Sequence, residues 1–242
     1  MATLHFSRGV NNYVTPALVG ELADTLRSLD EDAQIRSVVL ASAGKHFCAG
    51  ADFGGEPQPG GMIDPQALYQ QAMRLFETRK PIIAALHGAV IGAGAGLALV
   101  ADFRVASTDC RISFNFNRIG IHPGFGLTHT LPRLIGVQHA SLLFFTGRRL
   151  SADQALAMGV VDDLVEPENC LGQAQRLAAE IATSSPLAVQ ETRDSLRLGL
   201  LEQVRTMNER ELRLQHGHFK TLDFAEGVRA MAERRPPAFQ GR

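Results

Sequence analysis

The chain has 242 residues, 45% of them hydrophobic, enough to bury a sizeable core in one main domain. With 24 Lys+Arg against 25 Asp+Glu, a formal charge of −1 and a pI near 6.7, it lacks the basic footprint that nucleic acid or an anionic membrane surface demands. Cys48, Cys110 and Cys170 have neither paired nor metal-ligand spacing, no apolar run reaches transmembrane length, and the start carries no signal-peptide pattern, so a soluble, cytoplasmic protein is expected.

Only Thr3 to Ser7 reads as extended before Asn11-Asn12-Tyr13-Val14. Thr15-Pro16 is an N-cap and first-turn signal for a helix carrying Leu18, Val19, Leu22, Leu26 and Leu29 at helical spacing, and a β-branched strand, Ile35 to Ala41, follows. That strand runs into the turn Phe47-Cys48-Ala49-Gly50-Ala51-Asp52, whose small residues let main-chain N–H groups approach a ligand. Gly54 to Gly61 cannot be regular structure and separates this turn from a helix predicted over 65–77. The strand Pro81 to Leu86 then empties into Gly92-Ala93-Gly94-Ala95-Gly96, which opens a small-residue helix predicted to reach Ala101. A helix start leaves N–H groups unpaired, so two such turns aimed at one carbonyl would make an oxyanion hole. Strand-and-helix units continue from Phe103 to Phe114, where Phe114 and Phe116 are expected on one face of a strand, able with Phe125 to line an apolar pocket. From Asn169 the signals are helical: 174–182, 186–200, 201–214 and 224–233. The expected division is an α/β core over 1–185 and a C-terminal helical region over 186–242, with Leu196, Leu200 and Val204 forming an apolar face.

The order of Phe47-x-Ala49-Gly50-x-Asp52, Lys80-Pro81-Ile82-Ile83-Ala84-Ala85-x-x-Gly88, Gly92-x-Gly94 and Ala101-Asp102-Phe103-Arg104 resembles the crotonase (enoyl-CoA hydratase/isomerase) family. Ile119-Gly120-Ile121-x-Pro123-Gly124-x-Gly126, Thr146-Gly147-x-x-Leu150-Ser151-Ala152, Ala157-x-Gly159-Val160-Val161, Glu226-Gly227 and Pro237-x-Phe239 extend the likeness over nearly the whole chain. The resemblance implies an α/β spiral of ββα units with C-terminal helices that build a homotrimer or hexamer. It also implies an acyl-CoA thioester as substrate, no nucleic-acid or membrane partner, and no cofactor beyond the CoA moiety. The start departs from the family's longer strand pair and Arg-Pro turn, so the resemblance does not extend to the usual N-terminal CoA contacts.

Carried over residue by residue, the resemblance puts the oxyanion donors on the N–H groups of Ala51 and Ala93 and the substrate-lining residues at Ala49, Asp52, Phe53, Tyr69, Gly92, Phe116 and Ile119. The two glutamates of the family's hydratases fall on Gly96 and Phe116, neither of which can transfer a proton. The nucleophilic Asp of the family's dehalogenases falls on Gly124. His122, whose ordinary pKa suits proton transfer at neutral pH, is then the first acid/base candidate, followed by Tyr69, Asp64 and Glu56. Asp52 reads as an anchor of its own turn. His216 and His218, two apart on a helix, point apart, and no metal is expected. Arg229, Arg234 and Arg235 are candidates for the CoA phosphates. The reaction stays open among isomerisation, decarboxylation, C–C cleavage and hydrolysis, with a non-catalytic CoA-binding or scaffold protein as the alternative.

Overall fold

The computed structural model describes residues 1–51 and 65–242. In chain order the elements are β1 (Ala2–Phe6), α1 (Pro16–Glu31), β2 (Val38–Ser42), α2 (Pro65–Leu75), β3 (Ile82–Leu86), β4 (Ala89–Ile91) and α3 (Ala93–Ala98). Then come β5 (Phe103–Ser107), β6 (Arg111–Ser113), a 3-10 turn (Asn115–Ile119), α4 (Leu127–Thr146), β7 (Arg149–Ser151), α5 (Ala152–Ala157) and β8 (Asp163–Val165). The helices α6 (Cys170–Ala182), α7 (Pro186–Leu196), α8 (Leu200–His218) and α9 (Leu222–Ala232) complete the described chain.

β1, β2, β3, β5 and β8 form one parallel sheet in that order, with Val38 opposite Ile82 and Ile83 opposite Phe103. β2 and β3 are buried along their whole length, as their unbroken apolar runs require of strands covered on both faces. One cover is α6, which lays Cys170, Ala174 and Ala178 on Val39, Ile83 and Val105. A second, smaller sheet pairs β4 with β6 in parallel and β6 with β7 antiparallel. The helix α1 starts as its sequence signals, with the Thr15 side chain accepting from Leu18 N–H, Pro16 at the first position and Leu18, Val19, Leu22 and Leu26 buried.

Three expectations change. The strand expected from Ile35 begins at Val38, because the strand pairing starts there, with Val38 opposite both Ala2 and Ile82. The helix opened by Ala93 ends at Ala98 rather than Ala101. Phe114 and Phe116 do not share a strand face: β6 stops at Ser113, and the left-handed Gly120 closes a 3-10 turn by donating to the Asn117 and Phe116 carbonyls. Residues two apart in such a turn point to different sides. Phe114 therefore packs edge-on to Phe144, with ring centroids 6.0 Å apart, while Phe116 faces a cavity.

The C-terminal helices are tied to the sheet by a buried charge cluster. Asp102 holds the Ile82 N–H at 2.9 Å and pairs with Arg193 at 2.8 Å and Arg197 at 3.0 Å. The expected apolar face of α7 and α8 is split, since Val204 lies fully in the chain's own core and Leu196 is 70% exposed. Among the described residues no helix is long and apolar enough to cross a membrane.

Candidate active site

The segment after β2 is pinned on both edges. Cys48 N–H donates to the Ala89 carbonyl and Ile91 N–H to the Cys48 carbonyl, both at 3.0 Å, while Val14 N–H donates to the Gly50 carbonyl at 2.9 Å. Gly50 turns with φ 101°, a conformation that L side chains rarely adopt. On the facing side Gly92 (φ 54°) starts α3, and a Cβ at Gly94 would lie 2.4 Å from the Cys48 carbonyl oxygen. Only glycine lets the helix start sit this close to the first turn. Ala51 and Ala93 thereby line one cavity of about 350 Å³, and neither N–H finds an acceptor among the described residues.

The cavity wall is mainly apolar, from Leu68 and Tyr69 on α2 through Ile91, Phe116, Ile119 and Ile121 to Phe219 on α8. Of the residues expected from sequence, Ala49, Ala51, Tyr69, Gly92, Ala93, Phe116 and Ile119 are brought together here. Asp52, Phe53, Glu56 and Asp64 lie outside the described residues. Cys48, beside the turn, is fully buried, and burial pushes its thiol up to about 12, which rules out a thiolate nucleophile.

Among the described lining residues the side chains able to exchange a proton with a substrate are Tyr13 and Tyr69. Tyr69 is 4% exposed; burial, aided by the nearby Glu211 carboxyl, lifts its phenol well above the usual tyrosine range and keeps it neutral. Its hydroxyl donates to Gln215 Oε1 at 2.9 Å, and Gln215 Nε2 donates to the His122 carbonyl at 2.7 Å. A Cβ at Gly124 would fall 1.9 Å from the Tyr69 hydroxyl, so the glycine of the Pro123-Gly124 turn makes room for the phenol.

His122 meets its neighbours differently from the sequence expectation. Its ring Nδ1 lies 2.8 Å from the Pro123 carbonyl, its N–H donates to His218 Nδ1 at 3.1 Å, and it is not among the described residues lining the cavity. Burial lowers its pKa. Its backbone carbonyl, rather than its imidazole, joins the site through Gln215. Arg229 is paired with Glu226, whereas Arg234 and Arg235 line a neighbouring cleft.

Sequence reasoning missed Gln215 and Glu211, and it expected Phe125 on the pocket wall, whereas its ring packs beside Tyr69 and is not among the described lining residues. Glu211 is fully buried on α8, one turn before Gln215, and accepts from Gly126 N–H at 2.7 Å, Thr128 N–H at 2.8 Å and the Thr128 hydroxyl at 2.5 Å. It thus fixes the start of α4, and with it Phe125, which holds φ 65°. The Phe125 ring packs edge-on to Tyr69 at 6.4 Å and occupies the space above Gly96, where a Cβ would sit 2.6 Å from Phe125 Cγ. The four-residue spacing of Glu211 and Gln215 was the one available signal, and on a helix it also describes a solvated face.

Two glycine turns facing one apolar cavity on this sheet topology point to one family, and the whole-chain comparison decides it: residues 1–242 match the family model described as enoyl-CoA hydratase/isomerase. The chain belongs to the enoyl-CoA hydratase/isomerase family. It is an enzyme of that family acting on acyl-CoA thioesters, with the crotonase α/β fold. It is 33% identical over 243 residues to an (E)-benzylidenesuccinyl-CoA hydratase of Thauera aromatica, covering 95% of this chain and 91% of that protein. Over 229 residues it is 31% identical to a 1,2-epoxyphenylacetyl-CoA isomerase of Escherichia coli K12, covering 92% and 87% of the two chains. Among solved structures, an enoyl-CoA hydratase/isomerase from Pseudoalteromonas atlantica T6c superposes with a TM-score of 0.86 at 27% identity, over 98% of this chain and 96% of that one.

Proposed function

We propose that this family member stabilises a thioester enolate in the hole formed by the Ala51 and Ala93 N–H groups and does not hydrate enoyl-CoA by a paired-glutamate route. The supporting observation is that Ala51 and Ala93, whose N–H groups are free of acceptors among the described residues, line one cavity with the phenyl ring of Phe116, while Gly96 lies outside that lining beneath the Phe125 ring. Such preorganised donors, in a site screened from water, lower the energy of the oxyanion at the moment it forms.

We assign proton transfer to Tyr69 in preference to His122, because Tyr69 lines the cavity and His122 does not. A phenol held neutral by burial is a donor rather than a base. The reaction that best fits such a site is heterolysis of a C–C bond at the α-carbon by decarboxylation, in which the leaving group departs as CO₂ and needs no activated water. The bonding pair passes into the thioester enolate as CO₂ leaves, the oxyanion rests on the Ala51 and Ala93 N–H groups, and the Tyr69 proton is delivered to the α-carbon; the phenolate regains its proton from water that enters when product leaves. The apolar, partly aromatic wall suits an acyl group that is apolar where it adjoins the thioester, in keeping with the phenyl-bearing acyl groups in the names of two relatives.

The test is a mass-spectrometric screen of a CoA-thioester panel in D₂O. Turnover that leaves one deuterium on the α-carbon, with negligible hydration of crotonyl-CoA, is the expected result. Crotonyl-CoA hydration at a high rate refutes the reading. Thioester binding with neither turnover nor exchange across the panel would instead assign a CoA-binding role.

A further inference from the structure

We propose that the acyl group this site accepts carries a second anionic group, a carboxylate at its far end, held by an arginine-lined cleft behind the cavity; this rests on the acyl-CoA reading above. The cleft has a volume of about 730 Å³ and is lined by Arg118, Arg148, Arg149, Arg234 and Arg235, with no carboxylate among its described lining residues. In a chain of net charge −1 such a concentration of one sign is a local feature.

Most of these cations are unspent. Arg235 is committed to Glu226 and Glu233. Arg148 has only the Thr146 hydroxyl, at 3.3 Å from Nε. The exposed side chains of Arg118, Arg149 and Arg234 form no hydrogen bond or ion pair with any described residue. The five arginines come from three places in the sequence: the 3-10 turn, the start of β7 with the residue before it, and the segment after α9. The Arg118 stem is seated by close contact with Gly147, where a Cβ would lie 2.5 Å from Arg118 Cγ. A planar guanidinium fork matches a carboxylate in geometry as well as charge.

The position of the cleft selects the source of the anion. Asn115, Ile119 and Met231 line both the cleft and the cavity that holds Ala51 and Ala93. In the proposed pose an acyl chain whose carbonyl sits between those two N–H groups runs toward this shared wall, where the unbranched Met231, 45% exposed, is the adaptable member. The CoA phosphates lie a whole pantetheine arm from the thioester. The end of the acyl group is the part of the substrate that adjoins the cleft.

Glutaryl-CoA and valeryl-CoA have acyl chains of equal length, ending in carboxylate and methyl respectively, so titration calorimetry with both, and with free CoA, isolates the far group. The expected result is that the parent protein binds glutaryl-CoA at least about ten-fold more tightly than valeryl-CoA. The variants Arg118→Met and Arg149→Met, which keep the aliphatic stems, should bring that ratio toward one with valeryl-CoA affinity unchanged. Equal binding of the two thioesters by the parent overturns the proposal. So does a loss in the variants shared equally by valeryl-CoA, glutaryl-CoA and free CoA, which would assign the arginines to the CoA phosphates. A carboxylate preference without turnover in D₂O leaves this proposal standing and removes the enolate reading; turnover without the preference does the reverse.

Discussion

Replacing Ala93 by proline tests the oxyanion hole at a single atom. Ala93 is the first residue of α3, and its N–H has no acceptor among the described residues, so proline removes no hydrogen bond from the fold. The first helical position is where proline is tolerated best, its fixed φ being preset for the helix. The neighbouring bonds that hold the turn, Gly92 N–H to the Ser113 carbonyl at 2.9 Å and Gly96 N–H to the Gly92 carbonyl at 3.1 Å, do not involve the Ala93 nitrogen. Folding stability is therefore expected to change by no more than about 1 kcal/mol. Catalysis is affected much more, since loss of one oxyanion donor costs about 10²–10³ in rate, roughly 2.7–4 kcal/mol of transition-state stabilisation. Ala93→Gly is the control: it keeps the N–H and costs only the helix propensity of one residue, about 1 kcal/mol or less. The assay is the rate of α-deuteration of the active thioester in D₂O, paired with a denaturant melt of each variant. A folded Ala93→Pro protein with the parental rate would show that the hole is not at Ala93.

Three further outcomes follow from side chains around the cavity. Tyr69→Phe keeps the packing on Phe125 but should reduce turnover by about 10²–10⁴ while thioester binding persists; His122→Gln should leave turnover within a few-fold, and a pH limb near 6 to 7 that vanished in that variant would return the role to His122. Gly96→Glu should fail to create a hydratase and should destabilise the fold by about 1–3 kcal/mol or more through the clash with Phe125, so a melt of Gly96→Ala, Phe125→Ala and the double variant should show strong coupling; additive effects would mean that the ring does not cover position 96. Burial pushes the Glu211 carboxyl up to about 7, above its unfolded value near 4.3, so the folded state holds that proton more tightly. Its contribution to stability is full below that unfolded value and falls as pH rises toward 7. The stability difference between the parent and Glu211→Gln should shrink across that window, and a difference that grows with pH would contradict the assignment.

The local pattern of the chain carried its element order, the two glycine turns and the family likeness, because each rests on a short-range cause. A Thr-Pro helix start, an unbroken apolar strand or a glycine at positive φ is decided by neighbours within a few residues, and α1, β3, Gly50 and Gly92 stand as those neighbours dictate. The long-range contacts that hold the cavity wall in place were not legible in that way. Tyr69 meets Gln215 across 146 positions of sequence, Glu211 reaches back 85 positions to Gly126, and Phe125 covers Gly96 only because that buried carboxylate fixes the turn between them. The same holds for the arginines at 118, 148–149 and 234–235, each an ordinary surface cation in its own segment. Such groupings have no periodicity to betray them. They arise when packing of α8 on α2 and α4, and of α9 on the 3-10 turn, forces distant polar groups to find one another or stay unpaired, and only the tertiary structure settles which partners they take.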